Sequence, residues 1–272
     1  MVESLTDIQV VVGSIPTYPT IYAAVAQQVE HRISNSQATI EVIMENYKYV
    51  SFLCSNDYMA IINLNINLKR VNSKYNLVCV VTEDVNDMTI RKLNIHNIEC
   101  IKVPLIELPL MAKTINELRG FSIWNKVISK IHIFNLTQYD KIVYLDYDIV
   151  ILRNIDELFT YPHLSAAEDI AWFYPEAQLP TSPFYKWTAF NMGVMVIVPN
   201  AEEFRALVDY IPECHKLYPT MILSDQSLVD KFYNWKDRQE CRLPLDYNTF
   251  AANRSLFYRY GATNPAVLHF AG

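Results

Sequence analysis

The sequence predicts an α/β protein on a central, mainly parallel mixed sheet. Three observations carry this expectation. From Met44 onward, short apolar runs alternate with helical patterns, the rhythm of a parallel sheet with helices on both faces. The 272 residues are 51% hydrophobic and 19% charged, enough apolar material to bury the core of one large domain. Repeats and low-complexity tracts, which would point to another architecture, do not occur.

Taken in order, residues 1–43 read differently from the rest. Ile8 to Val12 predicts a short strand and Tyr22 to Ile33 a short helix, joined by turn-like stretches rich in Pro, Ser, Asn and Thr. Strands are then predicted over Tyr49 to Cys54, Leu77 to Val81, Glu99 to Val103, Lys141 to Leu145, Ala189 to Val198 and Val267 to Phe270. Helices are predicted over Asp57 to Val71, Val85 to Leu93, Ser122 to Leu136, Ala201 to Tyr210 and Ser224 to Phe232. Ser224 is a good N-cap, and Asp225 in the first turn suits the positive end of the helix dipole. Asp169 to Lys186, rich in proline and aromatic residues without a period, predicts a long functional loop over the site.

Composition removes several function classes. A net charge of −6 argues against a nucleic-acid binder working through a broad basic footprint. No apolar run approaches a membrane span, and no signal sequence opens the chain. The five glycines (Gly13, Gly120, Gly193, Gly261, Gly272) form neither GxGxxG nor a P-loop, so any nucleotide must be held another way. Five cysteines without a CxxC pair argue against a disulfide framework and a cysteine zinc site, and a reducing, cytoplasmic setting is expected.

The strongest local signal is KIVYLDYDIVI, where an apolar strand runs into Asp146, Tyr147 and Asp148. Residues i and i+2 of an extended chain face the same side, so the two carboxylates project together from the strand's C-terminal end. Ligands of open α/β sheets bind at that end. Close carboxylates repel unless a cation sits between them, and hard oxygen ligands suit Mg²⁺ or Mn²⁺.

Read with SNDY (Ser55 to Tyr58), KIHIFNLTQYDKIVYLDYDIVILRNIDELF (Lys130 to Phe159), SAAED, FNMGVMV, SDQSLV, LPLDYN and VLHFAG, this motif resembles glycogenin and its relatives in glycosyltransferase family 8. The resemblance runs from about Tyr47 to Gly272 with the motifs in order, and it implies a single GT-A (Rossmann-like) nucleotide-diphospho-sugar transferase domain over residues 44–272. It further implies Mn²⁺ bound by Asp146, Asp148 and His269 against the diphosphate of a UDP-hexose. Leu53, Ser55, Asn56 and Tyr58 would meet uracil and ribose, Arg119 the diphosphate, and Tyr147, Asn191, Gly193 and Gly272 other parts of the donor. Lys130 would reach the donor sugar, Asp169 its hydroxyls, and Asp225 and Gln226 the reacting carbon. Such enzymes retain anomeric configuration. Gln226 is a poor nucleophile, and a front-side displacement and a covalent intermediate both stay open.

The resemblance also sets expectations by contrast. The family pattern continues beyond the last motif into Lys-Pro-Trp, whose lysine clamps the diphosphate; lacking that charged bond would cost roughly 1.5–3 kcal/mol of affinity. Residues 1–43 have no counterpart in it, and VVGSIPT and VAQQVEHRIS read like translated non-coding sequence, so Met44 is the expected native start. Tyr258 and Tyr260 fall in the region of glycogenin's self-glucosylated tyrosine, though about three residues out of register. The expected activity is transfer of a hexose, glucose first, to a glycan, polyol or protein tyrosine. Galactinol-synthase-like transfer to a polyol, an inert UDP-sugar binder and a homodimeric state stand as alternatives within this expectation.

Overall fold

The computed structural model describes residues 45–170 and 189–271. The elements expected at Ile8 to Val12 and Tyr22 to Ile33, most of the loop from Asp169 to Lys186, and Gly272 lie outside the described residues. The described elements are β1 (Tyr47–Leu53), α1 (Tyr58–Arg70), β2 (Leu77–Thr82), α2 (Asp87–Ile95), β3 (Glu99–Val103), α3 (Leu110–Leu118), α4 (Trp124–Val127), β4 (Lys141–Leu145) and β5 (Ile149–Ile151). There follow β6 (Ser165–Glu168), β7 (Phe190–Ile197), α5 (Ala201–Leu217), α6 (Asp225–Tyr233), β8 (Thr249–Phe250), α7 (Arg254–Arg259) and β9 (Val267–His269).

The main sheet has the order β3-β2-β1-β4-β7-β6, and only β7 runs against the rest. This is the predicted mainly parallel sheet. Side-chain alternation sends Val50, Phe52, Val78, Val80, Ile142 and Tyr144 into the core under α5 and α6. Tyr49, Leu53, Cys79, Val81, Val143 and Leu145 enter the opposite core under α1. A second sheet, β5-β9-β8, follows, with three residues separating β4 from β5. No helix among the described residues is long and apolar enough to cross a membrane, and all five cysteines are free thiols.

Several boundaries differ from expectation for identifiable reasons. The single helix expected over Ser122 to Leu136 is a four-residue α4 followed by a 3₁₀ helix, Ile128–Asn135. Every residue from Ile128 to Phe134 is buried, so the segment has no exposed face to mark a helical period, and tertiary packing rather than the sequence pattern sets its tighter turn. The helix expected to stop at Tyr210 continues to Leu217 with Pro212 inside it, because Ile211 and Cys214 pack into the core beyond that point. Helices α3 and α7 and strands β5, β6 and β8 were not foreseen. Ser224 does cap α6: its hydroxyl accepts the Ser227 N–H at 3.1 Å, and Ser227 Oγ accepts the Ser224 N–H at 2.8 Å.

Buried Asn116 on α3 places the start of α6. Its Oδ1 accepts the Leu223 N–H at 3.0 Å and its Nδ2 donates to Leu223 O at 2.9 Å, as a strand neighbour would. Asn116→Ala leaves both Leu223 backbone groups without partners, and a destabilisation of about 2–3 kcal/mol is expected. The check is urea unfolding, in which the midpoint falls while the slope stays constant.

Candidate active site

The candidate site lies where β4 ends and the connector Asp146–Tyr147–Asp148 leads into β5. The antiparallel register places Leu145 opposite Val194, and the Asp146 N–H donates to Gly193 O at 2.8 Å. Ile149 pairs with His269 in the second sheet, and the Phe270 N–H bonds Asp148 O at 2.8 Å. Two ladders thus bring Asp146, Asp148 and His269 together. His269 Nε2 lies 3.3 Å from Asp148 Oδ1 and 3.8 Å from Asp146 Oδ2, and one ligand atom from each residue falls within 4.8 Å of the others.

Hydrogen bonds fix which His269 nitrogen is free. The Gly193 N–H donates to Asn191 Oδ1 at 2.9 Å, which orients that amide. Asn191 Oδ1 also accepts from Asn248 Nδ2 at 2.8 Å, so Asn248 Oδ1 must face His269 Nδ1, at 2.8 Å. Nδ1 is therefore the donor, and in the neutral ring Nε2 presents its lone pair to the two carboxylates. Two carboxylates and an imidazole with its far nitrogen held by an amide are a suitable donor set for a hard to borderline divalent ion. Gly193 makes room for the ring: a Cβ there would come within 2.4 Å of His269 Cε1.

On the other side of Asp146 sits a buried charge triad. Lys130, from the 3₁₀ helix, lies 3.1 Å from Asp146 Oδ1 and 2.8 Å from Asp225 Oδ2 at the start of α6. Burial would lower the Lys130 ammonium, but Asp146 and Asp225 outweigh it and hold it above the usual lysine range. Burial would likewise raise the Asp146 carboxyl; Lys130, His269 and the Tyr144 hydroxyl together keep it below its ordinary value. Tyr144 Oη donates to Asp146 Oδ1 at 2.5 Å.

A second polar cluster adjoins the triad. Gln226 Oε1 accepts the Met192 N–H at 3.0 Å, so its Nε2 is the donor to Asp169 Oδ2 at 3.3 Å. Asn191 Nδ2 reaches the same oxygen at 3.4 Å.

The family model for glycosyl transferase family 8 matches residues 21–272. The chain belongs to glycosyltransferase family 8. The match begins inside the segment set aside above as a leader. Glycogenin-1 of Caenorhabditis elegans is 43% identical over 150 residues, 53% of this chain and 30% of the relative. Glycogenin-1 of Oryctolagus cuniculus is 30% identical over 221 residues, 77% of this chain and 58% of the relative. UDP-glucuronate:xylan alpha-glucuronosyltransferase 1 of Arabidopsis thaliana is 31% identical over 164 residues, 56% of this chain and 21% of the relative. This family 8 chain thus spans between 21% and 58% of these relatives' own length. Among solved structures, the galactosyltransferase LgtC bound to donor and acceptor sugar analogues superposes with TM-score 0.54 at 16% identity, over 82% of this chain and 87% of that one. The glycosyltransferase GlyE of Streptococcus pneumoniae gives 0.53 at 18%, over 83% and 55%. These likenesses establish the GT-A glycosyltransferase fold.

Of the residues named from sequence, Lys130, Asp146, Asp148, Asp169, Asn191, Gly193, Asp225, Gln226 and His269 lie together in this candidate site. Leu53 is buried at the end of β1, with Ser55, Asn56 and Tyr58 just beyond it. Ser55 Oγ accepts the Asp57 N–H at 3.3 Å, and Asn56 Oδ1 accepts the Asn86 N–H at 3.1 Å, bracing the start of α2 rather than α1. Tyr147 is 42% exposed on the connector. Arg119 follows the last turn of α3 on the surface, and its contact with the cluster is not seen among the described residues. Sequence reasoning missed two participants, Asn248 and Tyr144. Tyr144 had a readable signal, being two residues before Asp146 and so on the same face of β4.

Proposed function

We propose that this family 8 chain is a manganese-dependent, retaining glycosyltransferase that moves a hexose, glucose first, from a UDP-sugar to an acceptor hydroxyl in the cytoplasm. What carries the reading is the Asp146–Asp148–His269 cluster with Nε2 turned inward. Those three residues would hold the ion, which when bound would supply Lewis-acid neutralisation of the departing diphosphate. Lys130 keeps a fixed positive charge beside the point where negative charge grows, already oriented by two carboxylates. Asp169, Asn191 and Gln226 form a set of acceptors and donors suited to orienting sugar hydroxyls. Gln226 Oε1 is engaged by a backbone N–H, which favours displacement on the donor's own face over a glycosyl–enzyme bond at that residue. The acceptor is a glycan, a polyol or a protein tyrosine; Tyr258 is 50% exposed on α7 and Tyr260 follows it.

The test is UDP release with Mn²⁺ from UDP-glucose, UDP-galactose and UDP-glucuronate, the last because of the xylan-modifying relatives. Release by the wild type should fall at least about a hundredfold in Asp148→Asn with the circular dichroism unchanged, while surface Glu202→Gln stays active. Full activity in Asp148→Asn would overturn the metal assignment. A wild type that binds UDP calorimetrically but never releases it from a donor would be an inert binder. Intact mass after incubation with donor reads self-glycosylation, which Tyr258→Phe or Tyr260→Phe should then remove.

A further inference from the structure

Tyr144 is the penultimate residue of β4. Residues i and i+2 of a strand share a face, so its side chain and that of Asp146 leave the sheet together. The side chain is 1% exposed in the core under α5 and α6, and its hydroxyl donates to Asp146 Oδ1 at 2.5 Å. The Lys130 ammonium lies 5.0 Å from the centre of the same ring and 3.1 Å from the same oxygen. One tyrosine thus touches both members of an ion pair. Phenylalanine would fill the same space, so packing alone does not account for the hydroxyl.

The contacts make the two aspartates unequal. An ionised carboxylate offers about two lone-pair sites on each oxygen. On Asp146 Oδ1 both are taken, by Tyr144 and Lys130. Oδ2 is the atom turned to His269 Nε2, at 3.8 Å. Asp146 therefore presents one oxygen, in a fixed direction, to the space it shares with Asp148 and His269. Asp148 is built differently: its side chain is 39% exposed, and among the described residues no hydrogen bond to a neighbour other than His269 steadies its carboxylate.

We propose that Tyr144 is a positioning residue that, with Lys130, holds Asp146 as a one-oxygen ligand and thereby sets which divalent ions the cluster accepts. The inference rests on the metal-dependent reading above and adds ion selectivity to it. Ca²⁺ takes roughly six to eight oxygens in flexible geometry, often two from one carboxylate, whereas smaller hard ions need near-octahedral placement. A carboxylate pinned through one oxygen penalises the larger ion; one free to rotate and chelate does not. The hydroxyl is neutral, so this discrimination works through geometry and not through added charge.

The experiment titrates the full chain with Mn²⁺ alone, reading bound ion from the loss of the free-ion paramagnetic resonance signal, and then displaces it with Ca²⁺. Tyr144→Phe keeps the ring beneath Lys130 and removes only the hydroxyl. Its preference for Mn²⁺ over Ca²⁺ should fall roughly tenfold, the lower end of what outer partners of metal ligands are worth. Tyr49→Phe is the control: the Tyr49 hydroxyl donates to Asp156 Oδ1 at 2.9 Å, a buried tyrosine–aspartate bond of the same kind outside the site. Both variants lose a buried hydrogen bond, and thermal melts establish that each is folded; only Tyr144→Phe should change the ion preference. Unchanged preference in Tyr144→Phe, or an equal change in Tyr49→Phe, would overturn the proposal. A wild type that binds neither ion would overturn the metal assignment and this inference with it. Selective ion binding by a wild type that releases no UDP from any donor would count against the transferase reading and not against the role of Tyr144.

Discussion

Gly193→Ala is expected to lower affinity for Mn²⁺ by at least about tenfold to a hundredfold, with a parallel loss of donor turnover. The cause is space rather than backbone conformation. An added Cβ would lie 2.4 Å from His269 Cε1 and 2.8 Å from both His269 Nδ1 and Asn191 Oδ1. None of these neighbours can yield cheaply. His269 is 3% exposed, carried by the central strand of the second sheet and packed against the Phe250 ring at 4.9 Å. Asn191 is tied to Gly193, Asn248 and Asp169. The methyl must therefore push the imidazole off its line to Asp146 and Asp148, or break the amide chain that fixes its tautomer. Calorimetric titration of the apoprotein with Mn²⁺ measures the loss, and unchanged affinity would show that the ring has slack the contacts do not indicate.

Lys130→Met is expected to cost about 3–5 kcal/mol of stability and to abolish turnover, because removing one member of a buried ionic group strands the rest. Asp146 and Asp225 would face each other across an uncharged side chain. The pH dependence gives a signature that lost packing would not. In the wild type the Asp146 carboxyl is held below its ordinary value, so the stability it contributes is present above the carboxylate range and is lost as pH falls through it. The variant lacks that contribution at neutral pH and gains by protonating its stranded carboxylates. The difference between the two proteins should therefore narrow as pH falls toward about 4. Denaturant melts in the presence of a chelator between pH 7 and pH 4 measure it; a constant gap would mean the loss is one of packing alone.

Much of the site was legible because its residues sit in runs whose period declares the element. KIVYL is a buried strand of five residues, so the position of Asp146 and Asp148 at its end followed directly. Ser224 and Asp225 announced a helix start. Of the second sheet only β9 was foreseen, since β5 and β8, three and two residues long, are too short to display alternation. That concealed the reason His269 meets Asp148: a ladder partner 120 residues away in the chain, set by the Ile149–His269 register. Asn248 was unreadable for a similar reason. An asparagine between two short elements looks like turn chemistry until its partners, 21 and 57 residues distant, are known. The 3₁₀ segment was misjudged because its burial is continuous from Ile128 to Phe134, which leaves no periodic signal to separate the two helix types.

The connector Asp146–Tyr147–Asp148 is also the seam between the two sheets. Asp146 closes the larger one, Asp148 opens the smaller, and His269 belongs to the smaller sheet's central strand. An ion held by all three would join the two sheets across that seam, tying β9 to the end of β4. If the proposed ion is bound there, its loading should slow local opening of β9, read as slower amide exchange at Val267–His269 with Mn²⁺ than with a chelator.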